Sequence, residues 1–384
     1  MKSQFNKWSK MLISGIPIFF LDGTKVQKWR QKMKRIKLIL IIYWIFVLSG
    51  CSQVKYNDSF VNVDQQEDII SKSGKESTTS EKNIGEAENI QDTNYDFKYN
   101  PYVLSKEFRI KYGKEYFDFY KNFVDAYINY ETSCSCPKEE YSYELGFLTH
   151  SNFVMFDADA YFDYDKIIYD EGTKTIHWEY ESNSKEEHDR KIKEFESQVA
   201  TYMRCLQKGD NDFEKTIALY NEFNSRIKYN KNADDSSYSA LMEEIGKCTG
   251  FSGAYCHLLL QAGVDAITNN GFSKKSGGHM WNVVHLGDKD YFIDTTYEVG
   301  SKGSDGKGLL YFGMSKEERE DIGGFNINSS GYGDVNDLKT EDYIETGNRF
   351  SVFRNCVDFE LDRNRGCIVY YNKDDFEPKE YYYK

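Results

Sequence analysis

The sequence predicts an α+β fold in which helices pack on an antiparallel β-sheet. Three observations carry that prediction. Residues 186–206 and 212–227 place apolar side chains at helical spacing, as in Ile192, Phe195, Val199, Tyr202 and Met203, then Phe213, Ile217, Tyr220 and Phe223. A third helix is expected over 251–262, with Leu258, Leu259 and Leu260 on its buried side and Gly263 as its stop. Period-2 strands then follow at 265–271, 277–286 and 290–294, which is a helix leading into a meander.

The chain has 384 residues, and its 31 Tyr and 26 Phe supply enough aromatic surface for a sizeable core. Residues 1–50 hold ten Lys and Arg against one Asp, or +9. Taken from the net charge of −13, that leaves −22 for the remainder, which argues against nucleic-acid binding. No stretch reaches the roughly 20 apolar residues of a spanning helix.

The N-terminal charge has a local meaning. Residues 32–37 form a basic n-region, 38–48 are apolar, and Leu48-Ser-Gly-Cys51 follows. That order resembles the lipobox of bacterial lipoproteins and implies a signal peptide over 1–50 with Cys51 as the lipidated residue. A signal starting at Met33 would be complete by itself. Residues 51–99 are polar and read as a disordered tether. The resemblance implies a bacterial membrane protein, lipid-anchored on the extracytoplasmic face.

Order is expected from about residue 100. Residues 100–205 form a mixed helical and β segment, with helix over 103–131 and a hairpin turning at Gly172. The acidic run 157–165 lacks the glycine and terminal glutamate of an EF-hand, so it reads as a solvated face. The core is expected over 206–300. A β-rich extension, 301–384, closes the chain, with strands at 309–312 and 367–371. Cys356 and Cys367 flank a hairpin and either pair across it or stay free.

Chemistry concentrates in three blocks. Gly246, Lys247, Cys248, Thr249 and Gly250 form a glycine-flanked turn that opens a helix. Unpaired N–H groups at a helix start favour a thiolate there. His279 follows Gly277 and Gly278, and Trp281 shares its strand face, so Trp281 is expected to wall the site. Asp294 ends an apolar strand, where its carboxylate can orient an imidazole or cap the next turn. His285 ranks second as a base. Cys256 reads as core and His257 as a helix flank. The histidines are scattered without ligand spacing, so no metal and no cofactor is expected.

Lys247 to Ser252, His279 to Asn282 and Asp294 to Thr296 together resemble the core of transglutaminase-like cysteine enzymes, a papain-like architecture. The resemblance implies Cys248 as nucleophile, His279 as general base and Asp294 as its partner, with acyl transfer at an amide through a thioester. Thr295 stands where many members carry proline. Tyr229 is the candidate oxyanion donor, with the Cys248 N–H as another. The implied activity is that of a protease, amidase or cross-linking transglutaminase acting on protein or peptide substrates at the cell envelope. The alternative is a catalytically inactive surface binding or scaffolding module.

Overall fold

The computed structural model describes residues 95–160, 167–300, 306–327 and 346–384. Contacts divide the chain into two units, 1–49 and 50–384, and every described residue belongs to the second. The signal peptide, Met33, Cys51, most of the tether and part of the acidic run therefore lie outside the described residues. Among the described residues, no helix is long and apolar enough to cross a membrane.

The first layer is helical. Helix α1, Lys106–Ile128, buries Tyr116, Phe119, Tyr120, Phe123 and Tyr127, and it kinks at Gly113, whose φ is 68°. Strand β1, Ser133–Ser135, is followed by α2, Glu139–Tyr143, and α3, Leu145–Ser151. A 3-10 turn over Val154–Ala158 leads towards β2, Ile168–Asp170, and β3, Thr175–His177. The expected hairpin is present, and β1 joins it on the far side of β3. That third strand had no alternating sequence signature.

Two capped helices follow. Ser184 accepts from the Glu187 N–H and starts α4, Lys185–Met203. Asn211 and Glu214 form a reciprocal capping box at α5, Asp212–Arg226. Both bury the apolar residues that predicted them. Short strands β4, Lys228–Tyr229, and β5, Ile245–Gly246, then pair in parallel around α6, Ser237–Glu243.

Helix α7, Cys248–Gln261, is the centre of the fold, buried continuously from Gly250 to Gln261. Gly263, at φ 78°, ends it: Val264 N–H reaches the Leu259 carbonyl and Gly263 N–H the Leu260 carbonyl. His257 is therefore not on a flank. A helix enclosed on every side has none, and His257 is fully buried with Nδ1 3.0 Å from the Asn152 carbonyl. Cys256 is core, as expected.

Strands β6, Ala266–Ser273, β7, Gly277–Leu286, and β8, Lys289–Ile293, form the antiparallel meander. β7 lies centrally and packs on α7, where Asn282 Nδ2 donates to the Ser252 carbonyl at 2.8 Å. Helix α8, Thr295–Gly300, follows directly.

The extension departs from its expected strands. Residues 309–312 form a turn, closed by the Phe312 N–H on the Leu309 carbonyl, and the segment meets the meander at isolated points. Asp294 N–H bonds to the Tyr311 carbonyl, and Phe292 exchanges both backbone bonds with Met314. After α9, Lys316–Asp321, Asn326 pairs with Phe272 at the opposite edge of the sheet. A final meander contains β9, Cys356–Asp362, β10, Cys367–Asn372, and β11, Pro378–Tyr382. Its register sets Cys356 opposite Asn372 and Cys367 opposite Asp362. The two cysteines sit at opposite ends of the hairpin, and both thiols are free.

Candidate active site

Cys248 is the first residue of α7 and is half-buried. The helix begins there because Lys247 is extended, at φ −102° and ψ −178°, while the Phe251 N–H already closes on the Lys247 carbonyl. The N–H groups of Cys248, Thr249 and Gly250 precede that first bond and carry the positive end of the helix dipole. A single carboxylate holds both neighbours of the cysteine. Asp235 Oδ1 lies 2.6 Å from Thr249 Oγ1 and 2.9 Å from Lys247 Nζ. Gly250 is needed for packing: a Cβ there would stand 3.0 Å from the Ser236 carbonyl oxygen and 3.2 Å from the Ala240 methyl.

His279 and Asp294 come together across neighbouring strands. His279 Nε2 lies 2.8 Å from Asp294 Oδ2 in a buried bond. A carboxylate only accepts, so Nε2 carries the proton and the neutral ring presents Nδ1 as the acceptor. Asp294 also caps the helix that follows it: Tyr297 N–H donates to Oδ1 at 3.0 Å. The capping and orienting roles suggested by its position at a strand end thus coexist on one carboxylate. Thr295 occupies the first helical position, where proline would also fit. A third group completes the cluster. Arg319 of α9 is fully buried and donates from Nη1 to Asp294 Oδ2 at 2.9 Å. Burial alone would push the Asp294 carboxyl up, but His279, Arg319 and the Tyr297 N–H together hold it below its ordinary range.

Residues 199–294 match the model of the transglutaminase-like superfamily, and this segment contains Cys248, His279 and Asp294. These residues form a transglutaminase-like domain. A candidate cysteine protease from Cytophaga hutchinsonii is similar at 16% identity, over 27% of this chain and 37% of its own, with a TM-score of 0.24. A structure described as a TGase is similar at 17% identity, over 30% of this chain and 34% of its own, also at 0.24. The chain thus spans only about a third of each solved relative. No protein with a curated description matches it.

The transglutaminase-like domain does not close its own site. Tyr297 stacks on the His279 ring at 4.5 Å, and Phe325 lies 5.5 Å from it. Arg319 and Phe325 come from the extension, which reaches the site because 311–314 and 326 pair with the two sheet edges. Sequence reasoning missed all three residues. Ser315 and Glu318 do announce a helix through their capping box. Nothing in the polar run 315–321 announces that its arginine is buried.

The remaining candidates fall into place around this cluster. Trp281 shares the His279 face, with ring centroids 5.8 Å apart, but at 1% exposure it backs the site and does not line open surface. Tyr229 is exposed on β4, in register with Gly246, and its ring stands 6.4 Å from Phe251. His285 pairs with Asp290 at the other end of β7. Burial pushes His150 and His257 down to about 4, so both are neutral, weakly basic rings at pH 7. Among the described residues, no group of acidic, His or Cys side chains could hold a metal.

Proposed function

We propose that the transglutaminase-like domain is a thiol acyltransferase or hydrolase acting on amide bonds. Cys248 is the nucleophile, His279 the general base and Asp294 the group that orients it. The observation that carries this reading is the buried Nε2 bond from His279 to Asp294. It reserves Nδ1 for a thiol proton, while Cys248 begins a helix whose dipole favours the thiolate. The thiolate attacks a carboxamide or peptide carbonyl. The tetrahedral oxyanion collapses to a thioester, and the departing nitrogen takes the proton from the His279 imidazolium. Water or an amine, deprotonated by His279, then resolves the thioester to acid or new amide. The Cys248 N–H is one oxyanion donor, and Tyr229 is the side-chain candidate for another.

Substrates are protein or peptide amides at a bacterial envelope, reached from a lipid anchor at Cys51. Replacing Cys51 with Ser should release the protein from membranes; unchanged membrane association would remove the anchor from this reading.

Thiol chemistry gives the direct test. Burial pushes Cys134, Cys205 and Cys356 up to about 12 and Cys136 to about 11, and raises Cys256 and Cys367 as well. Iodoacetamide at pH 6 should therefore alkylate Cys248 well ahead of these thiols, as read by peptide mass. Even labelling across the cysteines would refute an activated nucleophile. Comparing amine incorporation with cleavage between the native chain and Cys248→Ala then separates transferase from hydrolase. If neither depends on Cys248, the domain is a binding or scaffolding module.

A further inference from the structure

Arg319 is a costly residue to bury for structural reasons alone. It is fully buried, and its Nη1 bond to Asp294 is its hydrogen bond among the described residues. Nε and Nη2 find no acceptor there. The rings of Trp281, Phe325 and Tyr297 surround the guanidinium carbon at 4.4, 4.8 and 5.0 Å. A clip that only fastened α9 to the sheet would gain more from a bidentate fork, or from an apolar side chain of similar volume. The geometry instead aims a permanent positive charge at the one carboxylate oxygen that also receives His279.

We infer that Arg319 is a positioning residue that sets the charge felt by His279, an inference resting on the proposed roles of Cys248 and His279. With Arg319 in place, the Asp294–Arg319 pair is net neutral. Asp294 then fixes the imidazole tautomer and orientation without trapping the imidazolium, so His279 can pass its proton to a leaving nitrogen. Without Arg319, an uncompensated buried carboxylate would face the ring. Two other charged groups on the helices around the cluster have partners of their own. Glu298 of α8 accepts from the Tyr220 hydroxyl and the Tyr311 N–H, and Glu318 of α9 pairs with Arg354. Tyr297 and Tyr311 meet edge to face, and burial raises Tyr220 well above the ordinary phenol range. The Cys248 thiol is the acid that completes the set.

The test is the pH profile of Cys248 alkylation by iodoacetamide, which needs no knowledge of the substrate. A profile with an inflection below that of a free thiol, plus an upper one lost in His279→Ala, upholds the thiol–imidazole pair. A single ordinary thiol inflection in the native chain would overturn that pair, independently of Arg319. Arg319→Gln keeps a donor for Asp294 and removes the charge. Its upper inflection should rise by about one pH unit, the scale of a unit charge removed a few ångströms away in a partly screened site. Arg319→Lys should leave it in place. If Arg319→Gln does not fold, Asp294→Asn/Arg319→Gln removes both charges together and avoids a stranded carboxylate. Its upper inflection should lie near the native one, while Asp294→Asn alone lowers it. A folded Arg319→Gln protein whose profile overlays the native one, or a double variant no nearer to native than Asp294→Asn, would overturn the inference.

Discussion

Asn282 donates to the Ser252 carbonyl at 2.8 Å, tying the strand that carries His279 to the helix that Cys248 begins. Both residues are buried, and Ser252 lies one turn beyond Cys248. Asn282→Ala should cost about 2 kcal/mol, the usual scale for a buried hydrogen bond whose acceptor is left unpaired. It should also slow Cys248 alkylation. Urea unfolding and labelling rates measured on the same protein check both; native labelling in a destabilised variant would show that the tie is structural only.

Asp235 predicts the opposite combination. Its carboxylate holds Lys247 and Thr249 but is 42% exposed, so its ion pair contributes little to global stability. Asp235→Ala should leave the unfolding midpoint nearly unchanged. Cys248 labelling should fall by about tenfold as the helix start loosens, since small displacements of a reacting group are expensive. Equal labelling rates would exclude a clamp.

Gly253 lies where three elements meet. A Cβ there would stand 2.0 Å from Ser237 Oγ, 2.5 Å from the His150 carbonyl oxygen and 2.8 Å from His150 Nε2. The backbone oxygen cannot swing aside. Gly253→Ala should therefore destabilise the fold by at least ~2 kcal/mol despite its better helix propensity. A melting temperature within a degree of native would contradict this packing.

Stability should also be dome-shaped in pH, with two named causes. Burial, with Asp265 and Asp290 nearby, pushes Glu107 up to about 7. A folded-state value above the unfolded one means that the folded chain binds the extra proton. Stability is then full below about pH 4.5 and is lost as pH rises towards 7, on the order of 3 kcal/mol. Asp294 is depressed, so its contribution is present above roughly pH 4 and disappears on further acidification. Melting temperature against pH should fall on both sides. Glu107→Gln should flatten the alkaline side and spare the acid side; an unchanged alkaline slope would reject the assignment.

Much of this arrangement was legible from local chemistry. Helices α4, α5 and α7 follow from apolar spacing, and the start of α7 from the glycines around Cys248. His279 and Asp294 stand at recognisable points of a meander whose register then joins them. What escaped reading depends on distant pairing. His257 looks like a flank residue until α7 is seen to be enclosed on all sides. Leu309 to Phe312 carry the apolar residues of a strand, but the Phe312 N–H closes a turn on the Leu309 carbonyl, and contact with the β8 edge is confined to one bond at Tyr311 and an isolated bridge at Met314. Arg319 sits in a run of charges that any local rule assigns to solvent. Only the paired edges around it carry that arginine inside while its charged neighbours stay in or near solvent.

The way 306–327 grips both margins of the sheet bears on how the protein can be cut and reassembled. A fragment ending at residue 294 would keep the three proposed catalytic side chains yet lose the cation, the ring stacked on the imidazole and both edge partners. It would expose two raw sheet margins, an invitation to self-association. The same dependence makes the extension a natural place to retune the site by segment exchange: a transplanted 306–327 would bring its own electrostatic setting to an unchanged Cys248, His279 and Asp294.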